Sequence, residues 1–176
     1  MRVIGGRSRG RRLGAKLPST VRPTSDRVRE SIFDILGSQG GVDGLAVVDL
    51  FCGSGALGVE ALSRGAASAT FVDQDPGALA AVRANLDHVG LADEPATLVR
   101  ATLPGWLGAA PTFDLALCDP PYDFNEWDDL LDALQADRVV MESAAEIALP
   151  DGYMITRARR YGGTLVTVAR RSPLGS

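Results

Sequence analysis

Ala46-Val47-Val48-Asp49-Leu50-Phe51-Cys52-Gly53-Ser54-Gly55-Ala56-Leu57-Gly58 is the stretch that decides the fold. Ala46 to Phe51 is a short apolar run, suited to a strand buried on both faces of a parallel sheet. It leads directly into Gly53-Ser54-Gly55-Ala56-Leu57-Gly58, after which Val59 and Leu62 continue a helix. Glycines let the backbone turn sharply and approach a ligand closely, and a helix start presents unpaired N–H groups. Strand, glycine turn and helix in this order predict a nucleotide site on the first strand of an α/β sheet. Taken literally, the string matches the G-x-G-x-x-G dinucleotide fingerprint, which alone does not separate a bound nucleotide from a tight turn.

Outward from that stretch, Ala69 to Val72 predicts a second strand ending in Asp73. A carboxylate there is placed to accept both hydroxyls of an adenosine ribose, which serves NAD and S-adenosylmethionine equally. Asp75 precedes Pro76 and reads as a helix cap. The helix it opens, Pro76 to Val89, carries Leu79, Val82, Leu86 and Val89 on one face and stops at Gly90. Thr97 to Val99 is a third strand, followed by Arg100-Ala101-Thr102-Leu103-Pro104, where an adenine ring is expected.

Phe113 to Cys118 is a fourth strand, and two prolines in Asp119-Pro120-Pro121-Tyr122 forbid it from continuing. Asp119 then faces the crevice outside the carboxyl ends of the strands. The first proline keeps Asp119 extended and removes a backbone donor, leaving nearby carbonyls to accept from a ligand. An acceptor side chain, exposed carbonyls and the Tyr122 ring describe a holder for a planar NH2 group. These four residues alone fit a proline-rich turn with a capping Asp equally well. Glu126 to Leu134 is a short acidic helix, and Arg138 to Met141 a fifth strand with Glu142 at its end. Tyr153 to Arg159 and Thr164 to Arg170 form an antiparallel hairpin around Tyr161-Gly162-Gly163. The sum is an α/β three-layer sandwich, a mostly parallel seven-stranded sheet with an antiparallel C-terminal hairpin.

At 176 residues one domain is expected. No apolar run reaches the length of a membrane span, and the arginine-rich start lacks the apolar core of a signal peptide, so a cytoplasmic location is expected. Cys52 and Cys118 are too few for a disulfide framework and lack metal-ligand spacing; both read as buried small residues, and no metal is expected. The single histidine, His88, sits near a helix end, better suited to a charge partner than to a base.

A net charge of -4 conceals a split: residues 1 to 30 hold nine of the eighteen basic residues against two acids. The segment is +7 and the rest -11, as for a polyanion-binding arm on an acidic body. Arg2-Val3-Ile4 and Arg12 to Lys16 read as short strands of a β-hairpin around Gly5, Gly6 and Gly10, with Arg7, Arg9, Arg11 and Arg12 crowding its tip. Guanidinium forks grip phosphates and stack on bases. Arg22-Pro23-Thr24 looks like a helix entry. Cations at Arg22, Arg27 and Arg29 oppose that helix dipole, which suggests an anionic partner. Residues 1–22 are therefore expected to be a small basic, polyanion-binding arm and 23–176 the main domain.

With the glycine loop after strand one, an acid after strand two and Asp-Pro-Pro-Tyr after strand four, the chain resembles the class I S-adenosylmethionine-dependent methyltransferases, and the last motif their amino-methylating branch. More narrowly, Arg2-Val3-Ile4-Gly5-Gly6, Arg22-Pro23-Thr24, Asp26 to Glu30, Asp49 to Gly58, Glu60 to Ala66 and Asp119 to Tyr122 resemble the RsmD family. That resemblance implies methylation of a guanine N2 amine in bacterial 16S ribosomal RNA, within the small subunit or its assembly intermediate, by a monomer. S-adenosyl-L-methionine would be held by Asp49, Phe51, Gly53, Ser54, Gly55, Gly58, Asp73, Thr102 and Asp119. Asp119, Pro120 and Tyr122 would be catalytic. Arg2, Arg7, Arg9, Arg11, Arg12, Arg22, Arg27, Arg29 and Tyr122 would meet RNA.

Two departures stand out. Ala101 and Thr102 replace the family's usual Gly-Asp pair at the adenine, and the usual glycine-rich turn is missing between Gln135 and Val139. Rival readings are a DNA adenine-N6 methyltransferase, for which 176 residues leave no target-recognition domain, and a glutamine methyltransferase, which leaves the basic arm unexplained. An NAD-dependent oxidoreductase leaves Asp119 to Tyr122 without a role. A non-catalytic rRNA-binding assembly factor would be separated by methyl transfer.

Overall fold

A computed structural model describes residues 1–14 and 25–172. Five parallel strands come in chain order: β1 (Ala46–Leu50), β2 (Ser68–Asp73), β3 (Ala96–Arg100), β4 (Phe113–Cys118) and β5 (Ala136–Ser143). They are closed by the antiparallel pair β6 (Tyr153–Tyr161) and β7 (Thr164–Arg171), giving the order β3-β2-β1-β4-β5-β7-β6. The order reverses between β1 and β4. That reversal opens a crevice at the carboxyl ends of the strands.

Alternate residues of each strand face opposite layers. Val47, Phe71, Leu115, Leu117 and Val140 pack with α1 (Asp26–Ser38), α2 (Ala56–Ser63) and α3 (Pro76–His88). Val48, Leu50, Ala116, Cys118 and Met141 pack on the other face with α4 (Trp127–Ala133) and a 3-10 turn, Gly105–Ala109. This is the expected three-layer α/β sandwich, with its mostly parallel seven-stranded sheet.

The expected N-terminal β-hairpin does not form. Among residues 1–14 there is one antiparallel bridge, Arg2 to Arg12, and no strand; Ala15, Lys16 and the Arg22-Pro23-Thr24 helix entry lie outside the described residues. Cross-segment bonding stops at three backbone bonds, Val3 N–H to the Arg11 carbonyl, Gly10 N–H to that of Val3 and Leu13 N–H to that of Met1, and the donors between them dock on α2. Ile4 and Gly5 N–H groups donate to the Glu60 carboxylate (2.8 and 2.7 Å), and those of Arg7 and Ser8 to the carbonyl and Oγ of Ser63. Gly6, at φ 73°, passes so close that a Cβ would fall 1.9 Å from the Ser63 carbonyl oxygen. Helix α1 is capped instead by Ser25, whose hydroxyl accepts from Val28 N–H.

β5 is longer than its apolar core, since Ala136 pairs with Phe113 and two residues, Leu134 and Gln135, suffice to link it to α4. Among the described residues no helix is long and apolar enough to cross a membrane.

Candidate active site

The glycine loop begins with backbone strain at a non-glycine residue. Phe51 has φ 57°, a conformation costing a side-chain-bearing residue about 1–2 kcal/mol, and it turns the chain out of β1. Its ring is braced edge-on by Phe124 at 5.0 Å, and Phe124 by Trp127 at 5.3 Å. Gly53 and Gly55 follow with φ of 52° and 77°. Gly55 and Gly58 also serve packing: a Cβ at Gly58 would sit 2.4 Å from the Phe71 ring, and one at Gly55 2.9 Å from Val82. Ser54 is buried, with its carbonyl accepting from Asn85.

Two acids hold this loop by their oxygens. Asp73 accepts from Gly53 N–H at 2.9 Å and from Asp75 N–H at 3.0 Å. A carboxylate has about four acceptor positions, so an exposed edge remains for ribose hydroxyls. Asp75 caps α3 as read, accepting from Gly77 N–H. Asp49 does not line the crevice as a cofactor contact: it is 1% exposed and accepts from Gly58 N–H at 2.9 Å, supporting the loop from beneath. Burial raises its pKa strongly; the Gly58 donor opposes this, and the fields of Asp119 and Asp73 add to it. Thr102 is exposed past the end of β3, where its carbonyl accepts from Trp106. The loop, the half-exposed Asp73 and a crevice beside them fit an adenosine-bearing cofactor.

Across the switch point, β4 delivers Asp119 and Pro120. Together with Tyr122, Phe124, Trp127, Glu142 and Thr164 they line a cavity of about 230 Å³. Tyr122 is 54% exposed, and its hydroxyl lies 3.4 Å from that of Thr164. Phe124, Trp127, Glu142 and Thr164 did not stand out in the sequence as site residues. Phe124 and Trp127 continue an aromatic series begun at Tyr122, a local signal; Glu142 and Thr164 reach the site only through strand pairing.

The arginines expected to meet RNA divide. Arg29 is a correction: it is fully buried on α1, donates to the Arg2 carbonyl and Asp26, and lies 3.7 Å from Glu60. Its charge answers a buried acid. Arg7 pairs with Glu94 at 2.6 Å, Arg11 donates to the Val89 carbonyl, and Arg2 to that of Gly10. Arg9, Arg12 and Arg27 are exposed, and Arg22 lies outside the described residues.

The tip of the N-terminal segment sits at the ends of α2 and α3 that lead into β2 and β3, opposite the crevice. A second basic cluster occupies the crevice edge. Arg27 at the start of α1 and Arg159, Arg160 and Tyr161 at the β6–β7 turn line a cavity of about 300 Å³. Arg160 donates to the carbonyl of Ala144, itself a wall of the Asp119 cavity. Burial pushes the thiols of Cys52 and Cys118 up, which keeps both neutral.

A glycine loop after β1, an acid after β2 and an Asp-Pro-Pro-Tyr tetrad after β4, on this strand order, define a class I methyltransferase, with S-adenosylmethionine the methyl donor that the class implies. The chain belongs to the family described as conserved hypothetical protein 95, the family of RsmD and YlbH, whose profile matches residues 1–170. It is 37% identical over 97% of its length and 99% of the relative's to YlbH of Bacillus subtilis (strain 168), provisionally named an rRNA methyltransferase. It is 34% identical to ribosomal RNA small subunit methyltransferase D of Escherichia coli (strain K12), over 85% of this chain and 78% of that one. The solved structure of the Escherichia coli protein yhhF, provisionally described as a methyltransferase, superimposes with a TM-score of 0.84 at 30% identity, covering 97% of both chains.

Proposed function

We propose that this protein methylates the N2 amine of a guanine in 16S ribosomal RNA of the small subunit. The observation that carries the reading is the cavity at the end of β4, lined by Asp119, Pro120 and an exposed Tyr122, with Phe124 of its wall packed on Phe51 at the start of the glycine loop. Family membership and the names of its relatives give the substrate class.

A guanine N2 lone pair is delocalised into the ring, so the amine is a weak nucleophile until its hydrogens are accepted and the nitrogen becomes pyramidal. Asp119 and the Pro120 carbonyl are the acceptors. Tyr122 holds the base flat after it leaves its stack. When bound, S-adenosylmethionine supplies an electrophilic methyl group on a sulfonium, and Gly53, Ser54, Phe51 and Asp73 hold it. Catalysis by the chain itself is positioning and electrostatic stabilisation, and the proton released from N2 passes to water. RNA reaches the crevice across Arg27, Arg159 and Arg160, whose guanidinium groups suit phosphates.

The test is to incubate the protein and labelled S-adenosylmethionine with small subunits lacking the modification, then map the label by digestion and mass spectrometry. Label on one guanine N2 of 16S rRNA is expected. Label on an adenine or on protein, or none, rejects the reading.

A further inference from the structure

Glu142 is an acid with no role in the chemistry above, and its surroundings are unusual. It is 6% exposed, yet its Oε1 is buried without a hydrogen-bond partner, and among the described residues it makes no ion pair within 4 Å. Buried polar atoms are nearly always satisfied, and besides Glu142 Oε1 only the Arg29 Nε and Nη1 are left without a hydrogen-bond partner among the described residues. Glu142 lines the same cavity as Asp119. The strands fix that pairing: Cys118 on β4 is level with Met141 on β5, and Asp119 and Glu142 are the next residues along. Both continue the strand faces of Leu117 and Val140, which pack toward α1.

We infer that Glu142 reads the guanine edge beside the methylated amine, pairing with its N1–H and O6. This rests on the guanine-N2 reading. Burial first, then the fields of Asp119 on β4 and Asp49 on β1, push the Glu142 carboxyl up to about 9, with Arg29 on α1 pulling the other way. A carboxyl that is neutral near pH 7 offers one donor and one acceptor. Guanine with its N2 at Asp119 presents N1–H and O6 next in line, the complementary pair. Adenine with its amine at Asp119 presents an N1 acceptor and then C2–H, leaving the Glu142 carbonyl unpaired. A site built to hydrogen-bond a group rejects an analogue lacking it strongly, because its own buried polar atoms are left unpaired. Asp119 thus takes the amine, and Glu142 decides which purine brings it.

The experiment uses small subunits reconstituted with 16S rRNA carrying either guanine or 2-aminopurine at the mapped nucleotide. 2-Aminopurine keeps the 2-amine but has no O6 and an unprotonated N1. Single-turnover methylation is compared for the wild type, Glu142→Gln and Glu142→Ala, and the guanine-to-2-aminopurine rate ratio within each protein is the readout. The wild type should prefer guanine by about 100-fold or more. Glu142→Gln, whose amide carries the same donor and acceptor, should keep most of that preference, and Glu142→Ala should reduce it to a few-fold. An unchanged ratio in Glu142→Ala overturns the inference, as does a wild type indifferent to the two bases, a result that needs no variant to fold. Loss of preference in Glu142→Gln as complete as in Glu142→Ala overturns the neutral form. If the wild type does not label guanine N2 at all, the proposed function fails and Glu142 is not at issue.

Discussion

The two edges of the sheet use charge in opposite ways. At the edge opposite the crevice, charged groups are used up in folding: Arg7 on Glu94, Arg11 on the Val89 carbonyl, and, just inside, Arg64 on Glu60. At the crevice edge, Glu142 keeps a buried oxygen without a partner, and Arg27, Arg159 and Arg160 surround a cavity. A composition count finds charge at both edges and cannot tell a committed ion from one held ready. The difference predicts that changes at one edge alter stability and changes at the other alter turnover or binding.

The largest effect is expected at Glu60. It is fully buried, accepts from Ile4 and Gly5 N–H groups and from Arg64, and lies beside the buried Arg29. Glu60→Ala removes the buried one of the two acids beside Arg29 and releases the N-terminal segment, at a cost of about 3–5 kcal/mol in urea denaturation. A loss below about 1 kcal/mol would mean the segment is not part of the folded core. Asp119→Ala should do the reverse. Turnover falls by about 100- to 1000-fold, the loss expected on removing one preorganised polar group, while calorimetry shows a far smaller change in cofactor affinity. Near-normal single-turnover rates would place the amine elsewhere.

What the sequence shows follows how local the cause is. β1, β2 and β4 were readable because their apolar runs end in glycine, acid or proline within a few residues, and a strand end at the switch point is a site wherever it occurs. Asp75 was readable as a cap because Pro76 follows it. The glycine loop misled in part: Gly58 is needed to clear the Phe71 ring, and Asp49 to hold Gly58, neither of which requires a ligand. The N-terminal segment stops at a single bridge rather than two strands because Glu60 and Ser63, fifty-five or more residues away, take the donors of Ile4, Gly5, Arg7 and Ser8 that would extend the pairing. Glu142 was visible only as the residue ending a strand. Its place beside Asp119 depends on β4 and β5 lying adjacent, which no local pattern states.

The acid without a partner also gives the crevice edge a pH signature. An acid whose folded pKa lies above its unfolded one stays protonated when the unfolded chain has already lost its proton. Stability therefore falls as pH rises from the unfolded value toward the folded one. For Glu142 that window runs from the ordinary glutamate value of 4.5 to about 9. Glu142→Gln removes the titration. Its stability at pH 8.5 relative to pH 5.5 should exceed the wild type's by on the order of 1 to 3 kcal/mol in denaturant titrations. Equal pH slopes would show that Glu142 is ionised in the folded protein and would weigh against its donating to O6.

The smallest effect discriminates most directly between the edges. Each phosphate contact removed lowers the slope of log affinity against log salt by roughly 0.7 to 0.9. Arg159→Ala with Arg160→Ala should lower the slope for small-subunit RNA by about one to two contacts, since both side chains stand at the crevice where the target base enters. Arg9→Ala with Arg12→Ala, at exposed positions in the N-terminal segment, tests the other edge with the same change in charge. If the slope falls for the crevice pair alone, the RNA runs over the β6–β7 turn and the N-terminal segment is chiefly a brace. If it falls equally for both, the RNA spans the sheet from edge to edge, and the arm expected from composition works alongside the hairpin. If only the N-terminal pair matters, the crevice arginines serve solubility and the edge strand β6, which arginines also keep from pairing with another chain.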